Sequence, residues 1–178
     1  MGNTMILKDK RLIYFGIVMI TSMVYEVAWV RMFTLNFGIT VYVSSVVIAA
    51  FMGGISIGAY LATLTESDPS KLFRNLQVIL GVYSLALLFT YTYIFSLVLV
   101  FILLLVPTSI IGASYSLINR MLVKQNTEIG VIYAVDTICG GVGALIAGFI
   151  MLPVLGIKLT VINTAALNLI IALIWGRE

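Results

Sequence analysis

Two carboxylates interrupt apolar stretches that are long enough to cross a lipid bilayer, and they constrain the fold more than any other feature. Glu26 lies within Leu12 to Leu35, and Asp136 lies within Ile129 to Leu152. A charge stranded in a bilayer costs at least about 2.5–3.5 kcal/mol on insertion scales, so such residues usually face a protein interior or a hydrated cavity. The two carboxylates are therefore the first candidates for functional residues.

The composition predicts a membrane protein. Hydrophobic residues form 62% of the chain and charged residues 10%, whereas soluble domains carry about 25% charged residues. At about 20 residues per membrane helix, the 178 residues predict a single all-α transmembrane domain, residues 1–178. The Lys and Arg residues lie at the ends of the apolar stretches, which argues against nucleic-acid binding. With no His and a single Cys, we predict no metal site, no cofactor and no disulfide framework.

The apolar stretches predict a bundle of six transmembrane helices. The polar loop Thr65 to Arg74, with Pro69 as its helix breaker, separates the second helix from the third. The boundary between the third and the fourth is the least defined, because Leu76 to Leu117 carries no charge. Pro107 and Gly112 are predicted to interrupt the fourth helix. The predicted spans are residues 12–33, 41–64, 76–91, 94–117, 129–152 and 159–175.

The distribution of positive charge predicts the orientation. Cytoplasmic flanks of membrane helices are enriched in Lys and Arg. A cytoplasmic N-terminus would leave only Arg31 and Lys158 on the outer side, so both termini are predicted to be cytoplasmic. The residues on the inner side are then Lys8, Lys10, Arg11, Lys71, Arg74, Arg120, Lys124 and Arg177.

A shared glycine pair suggests an internal repeat. Met52-Gly53-Gly54 occurs in the second span and Cys139-Gly140-Gly141 in the fifth. Spans one to three and four to six would then form two units of opposite orientation. This is the 3+3 inverted repeat found in each half of major-facilitator-type transporters.

Polar and aromatic side chains gather around Glu26 on one side of the first span. At about 100° per residue, Thr21, Ser22, Tyr25 and Trp29 share this side, whereas Leu, Ile and Val dominate elsewhere. Two interpretations stay open for Glu26: a packing residue that is protonated or hydrogen-bonded, or a cavity ligand for a cation.

Asp136 shares a face of the fifth span with small residues and with Tyr133. Two roles stay open for it, a structural ion pair with Arg120 or a contact with a ligand. At 1.5 Å per residue, Glu26 lies about 21 Å from the cytoplasmic end and Asp136 about 10 Å, so the two are not expected to touch. Small residues at four-residue spacing let helices approach closely, and the predicted packing residues are Gly54 and Gly58 in the second span and Gly140, Ala144 and Gly148 in the fifth.

Three segments, Ile20 to Arg31, Phe51 to Gly58 and Ile132 to Gly156, carry a combination of motifs that resembles the spermidine synthase-like integral membrane proteins. In that family a multi-helix membrane region precedes a cytosolic, Rossmann-like aminopropyltransferase domain, which uses decarboxylated S-adenosylmethionine and a polyamine. The resemblance implies a protein of the cytoplasmic (inner) membrane of a prokaryote. Asp136 stands where many relatives carry Asn.

The chain departs from the family in one respect that bears on catalysis. It has no glycine-rich strand–turn–helix fingerprint, and its glycine pairs lie inside apolar helices. The aminopropyl-transfer residues of the family therefore cannot be carried over, and we predict no catalytic residue in this chain and no catalysis by this chain alone.

Three functions stay open. The first is a membrane module that anchors or serves a cytosolic aminopropyltransferase-like domain or subunit and binds a cationic small substrate at Glu26, with the rings of Tyr25 and Trp29 beside the cation. The second is a half-size transporter that acts as a homodimer, and the third is a structural dimerisation scaffold with buried, neutral carboxylates. The predicted partners are the lipid bilayer, such an enzyme and a second copy of the chain. The candidate ligand-binding residues are Ser22, Tyr25, Glu26, Trp29, Tyr133 and Asp136.

Overall fold

The computed structural model describes residues 10–38, 40–123 and 126–175, so that Lys8, Lys124 and Arg177 lie outside the described residues. The described part of the chain is helical apart from short connections and contains no strand, which confirms the all-α prediction. Its elements are α1 (Lys10–Phe37), α2 (Thr40–Thr63), α3 (Pro69–Thr90), a 3₁₀ turn (Tyr91–Tyr93), α4 (Leu97–Leu122), α5 (Asn126–Ile146), a π-helical turn (Ala147–Met151) and α6 (Leu152–Trp175).

Within the described ranges, five helical stretches are long and apolar enough to cross a membrane. The fifth stretch, Ile129–Trp175, has 47 residues and joins α5, the π-helical turn and α6. The backbone leaves the helical conformation inside it at Gly156, where φ is 72° and ψ is 175°. Glycine adopts this positive φ without the steric cost that a Cβ would bring. The five stretches are Lys10–Phe37, Val41–Thr63, Pro69–Tyr93, Leu97–Leu122 and Ile129–Trp175.

Helix α3 begins at Pro69, seven residues before the predicted start of the third span at residue 76. The Asp68 carboxylate accepts a hydrogen bond from the backbone N–H of Ser70 at 3.0 Å, and Pro69 occupies the first turn. A capping carboxylate followed by proline favours a helix start, because proline has no N–H that would need a partner there. Pro69 therefore starts the helix that it was predicted to precede.

Helix α4 passes through Pro107 and Gly112 without the predicted interruption. Proline has no N–H, so the carbonyl oxygen of Leu103, four residues earlier, lacks its helical donor. The Tyr83 hydroxyl of α3 donates to this oxygen at 2.9 Å. A neighbouring helix therefore satisfies the carbonyl group that proline leaves free.

Two pairs of parallel helices make close contacts in the bundle. Helices α2 and α4 make the most extensive contact; there Gly58 faces the backbone of Ser109, and Gly112 faces the backbone of Ile55. Helices α1 and α5 meet in the same manner, with Gly143 against the backbone of Ile20. Each close approach depends on the missing Cβ of a glycine.

Helices α3 and α6 pack against each other in opposite directions and connect the two pairs. Gly81 of α3 meets Ala165 and Leu169 of α6. Near the other end of α6, the Trp175 indole N–H donates to the Ser70 hydroxyl at 2.8 Å. The end of α6 is thereby fixed beside the start of α3.

Candidate functional site

The six candidate ligand-binding residues separate into two groups. Ser22, Tyr133 and Asp136 line one cavity, and Glu26, with its neighbours Tyr25 and Trp29, lies outside it. The sequence pattern had placed Ser22 with Glu26. In the structure Ser22 lies one helical turn from Glu26 on α1 and also lines the cavity that contains Asp136.

The cavity has a volume of about 400 Å³ and lies where α1 and α5 meet α2 and α4. This volume falls in the range of small-molecule sites, roughly 300–1,000 Å³. Its walls are mainly apolar, with Met19 and Met23 from α1 and Phe51 and Ile55 from α2. Tyr133 is 62% exposed, so the cavity opens beside α5 rather than being closed on all sides. We refer to it as the Asp136 cavity.

Asp136 provides the only charged side chain of this cavity among the described residues. It is half-buried, and within the described ranges it forms neither a hydrogen bond nor an ion pair. The Arg120 guanidinium donates instead to the backbone oxygens of Ala62, at 3.0 Å, and Thr65, at 2.8 Å. The structural Asp136–Arg120 pair is therefore absent from this structure, and the carboxylate is left for another partner.

The two small hydroxyl groups of the cavity have already used their hydrogens. The Ser22 hydroxyl donates to the Met19 backbone oxygen at 2.8 Å. The Thr137 hydroxyl donates to the Tyr133 backbone oxygen at 2.9 Å. A hydroxyl has one hydrogen and two lone pairs. Both groups can therefore offer a ligand only an acceptor, as the Asp136 carboxylate does.

Glu26 is half-buried on α1, one helical turn beyond Ser22 in the direction of Phe37. Its neighbours Tyr25 and Trp29 are fully buried, and their rings stack on each other with centroids 5.3 Å apart and planes at 13°. The Trp29 indole N–H has no hydrogen-bond partner in the described structure, and the Tyr25 hydroxyl lies near the hydroxyl of Ser84. Both rings thus lie in the packed core of the bundle.

The five predicted packing residues also occupy different environments. Gly54 and Gly58 lie in the contact between α2 and α4, and Gly140 lies beside Met23 of α1. Ala144 is half-buried. At Gly148 an added Cβ would meet no atom of the described structure within 4 Å, and the closest approach on α5 occurs at Gly143, which the four-residue spacing had not included.

Several further polar residues were not among the candidate ligand-binding residues. Tyr115 of α4 lines the Asp136 cavity. A faint signal for it exists, because aligning Arg31-Met32 with Arg120-Met121 places Tyr115 at the position of Glu26. At the buried centre, the Gln77 amide donates to the Ser114 hydroxyl at 2.9 Å. This contact joins α3 to α4.

Comparisons of the chain with family models, with curated proteins and with solved structures give no match. Among the described residues, no group of three or more His, Cys, Asp or Glu side chains is arranged to hold a metal ion. The chemistry of the site rests on one carboxylate, four hydroxyl groups and an apolar wall.

Proposed function

We propose that this chain is a membrane module that binds a cationic small molecule in the Asp136 cavity. The observation that carries the proposal is the half-buried carboxylate of Asp136, which lines a small-molecule-sized space and has no partner among the described residues. An intramembrane carboxylate usually pairs with a cation or lines a hydrated path. A cationic ligand would supply a partner that Asp136 does not find among the described residues.

We further propose that the chain crosses the membrane six times, with both termini cytoplasmic. A straight helix of 47 residues would measure about 70 Å at 1.5 Å per residue, more than twice the hydrocarbon thickness of about 30 Å. The break at Gly156 lets α6 return beside α3. In a Cys139→Ala chain, a cysteine substituted for Lys158 should react with an impermeant thiol reagent from outside the cell, and protection there would contradict the topology.

The contacts between helices support a 3+3 inverted repeat. If α1–α3 are equivalent to α4–α6, the pair α2–α4 corresponds to the pair α5–α1, and both are parallel contacts at glycine. The contact of Gln77 with Ser114, α3 to α4, corresponds to that of Asn168 with Thr21, α6 to α1. The Asp136 cavity lies between the two units, where inverted-repeat transporters bind their substrates.

The resemblance to the spermidine synthase-like family supports a role in an enzyme system. A cytoplasmic end of α6, fixed to α3 by the contact of Trp175 with Ser70, would anchor an aminopropyltransferase-like domain or subunit. The membrane module would then deliver a cation to that enzyme or receive one from it.

Ligand-dependent stabilisation of the purified protein tests cation binding. A panel of organic cations, 2-phenylethylamine, its N,N,N-trimethyl derivative and spermidine, is added to the protein in lipid nanodiscs. A ligand at about 100 times its dissociation constant stabilises the folded state by about 2.7 kcal/mol. We expect at least one cation to raise the melting temperature of the native chain and to have no effect on Asp136→Asn.

Glu26→Gln is the matched control, because it removes the other intramembrane carboxylate without touching the cavity. It should retain the response. A response lost in Glu26→Gln and kept in Asp136→Asn would move the site to Glu26, and a native chain that responds to no cation would overturn the proposal.

A homodimeric transporter is the second candidate function. An added Cβ at Gly130 or Gly141 of α5, or at Gly148 of the π-helical turn, would meet no atom of another described helix within 4 Å, although small residues normally mark helix contacts in membranes. A second copy on this face would cover the opening of the cavity. Proteoliposomes should then take up the bound cation, and a monomeric, inactive protein in native lipid would exclude this candidate.

A further inference from the structure

We propose that the Asp136 cavity selects a monocationic amine that carries N–H groups and an apolar body, rather than a polyamine or a quaternary ammonium ion. This inference rests on the proposed function, since it names the class of cation bound at the same site. It differs from what the family resemblance implies, because a polyamine carries several charges.

Three of the polar side chains that line the cavity, Ser22, Thr137 and Asp136, favour a ligand with N–H donors. The hydrogens of Ser22 and Thr137 go to backbone oxygens of their own helices, which leaves their oxygen lone pairs as possible acceptors for a ligand. The Asp136 carboxylate has no hydrogen-bond donor among the described residues. A primary ammonium presents three N–H donors to these acceptors, whereas a quaternary ammonium presents none. Hydrogen bonds to charged groups are the strong ones.

The charge inventory limits the ligand to one positive charge. Among the described residues, Asp136 is the only charged residue that lines the cavity, and Glu26 is not among the lining residues. A second ammonium group would be buried beside Met23, Phe51 and Ile55 without a carboxylate. An unpaired charge in such surroundings costs several kcal/mol, which is more than its hydrogen bonds to neutral groups would return.

The remaining walls suit an apolar body. Met19 and Met23 supply flexible, polarisable side chains that adapt to different shapes. The rings of Tyr115 and Tyr133 line the same space, and aromatic faces attract both cations and apolar groups. The ligand is thus an amphipathic amine with its charged end at Asp136.

A competition experiment distinguishes these classes. Radiolabelled 2-phenylethylamine is bound to the native chain in nanodiscs and displaced by unlabelled 2-phenylethylamine, its N,N,N-trimethyl derivative, 2-phenylethanol or spermidine. We expect the trimethyl derivative to bind about tenfold or more weakly than the primary amine, because it loses charge-assisted hydrogen bonds. Spermidine should bind about a hundredfold more weakly, and the neutral alcohol should not compete.

A variant at Thr137 tests the role of the hydrogen-bond acceptors while the Asp136 carboxylate stays in place. Thr137→Val keeps the shape of the side chain and removes one hydrogen-bond acceptor. It should therefore reduce the difference in affinity between the primary amine and its trimethyl derivative. The control Ser56→Ala removes an exposed hydroxyl of α2 outside the cavity. It should leave the difference in affinity between the two amines unchanged. If spermidine or the trimethyl derivative binds as tightly as the primary amine, the inferred selectivity is wrong, although the proposed cation site stands. If no cation binds at all, the proposed function itself is wrong.

Discussion

The hydroxyl oxygen of Thr21 on α1 lies 2.8 Å from the side-chain amide oxygen of Asn168 on α6, although 147 positions separate the two residues. Both residues are buried. The contact has a counterpart between Gln77 and Ser114, and one polar atom of each amide, Gln77 Oε1 or Asn168 Nδ2, has no partner in the described structure. Both contacts tie one half of the bundle to the other.

A double-mutant cycle measures the first of these ties. Thr21→Val and Asn168→Leu should each destabilise the protein, and their coupling energy should be about 0.6 kcal/mol, with about 1.7 kcal/mol as the upper range for hydrogen bonds between membrane helices. Reversible unfolding in mixed micelles gives the four free energies. The cycle of Ser114→Ala with Gln77→Leu should give a similar coupling energy if α1–α3 and α4–α6 are equivalent units. A coupling energy of zero in both cycles would contradict the two side-chain contacts.

Alanine substitutions at Gly58 of α2 and at Gly148 of the π-helical turn should differ in their effect on stability. A Cβ at Gly58 would overlap the backbone of Ser109, so Gly58→Ala should destabilise the protein by roughly 1–3 kcal/mol or more. Gly148→Ala adds the same methyl group where no atom of another described helix lies within 4 Å, and it should not lower the free energy of unfolding. Equal stability of the two variants would show that α2 and α4 do not meet at Gly58.

The contact of Tyr83 with Leu103 should depend on Pro107. Tyr83→Phe removes the donor for a carbonyl group that proline leaves free, and it should cost about 0.5–1.5 kcal/mol. In a Pro107→Ala background the helix supplies its own N–H, so the same substitution should cost less. Thermal unfolding measures the loss of stability that Tyr83→Phe causes in each background. An equal loss in both would mean that the Tyr83 hydroxyl does not stabilise the protein through the Leu103 carbonyl group.

Asp136→Asn should lose ligand binding without losing stability. The carboxylate has no partner among the described residues, and removing an unpaired buried charge is neutral or stabilising. Differential scanning fluorimetry without ligand should give a melting temperature equal to or above that of the native chain. A fall in the melting temperature would indicate that Asp136 holds the fold together in the membrane.

The sequence predicted those features that depend on local pattern. Apolar length predicted the membrane helices, and an isolated charge identified Asp136 as a candidate. Gly54 and Gly58 followed from their spacing. The start of α3 at Pro69 was missed, because polar composition was weighed above the capping carboxylate of Asp68.

The features that the sequence could not predict depend on which helices meet. Helical spacing placed Ser22 on the same side of α1 as Glu26, but it could not show that Ser22 and Asp136 of α5 line one cavity. Gly143 and Tyr115 gain their roles only from helices that are distant in sequence, and the same holds for Asn168 opposite Thr21. The spacing of residues along a helix predicts which side chains share a face. It does not predict which other helix packs against that face.

Photo-crosslinking with an aromatic amine that carries a diazirine, followed by mass spectrometry of the labelled peptides, locates the cation most directly. If the cation binds beside Asp136, labels will appear on α1 at Met19 and Met23, on α4 near Tyr115 and on α5 between Tyr133 and Gly141, and excess 2-phenylethylamine will suppress them. Labels that concentrate around Glu26 and Trp29, or that resist competition, would contradict a binding site in the Asp136 cavity.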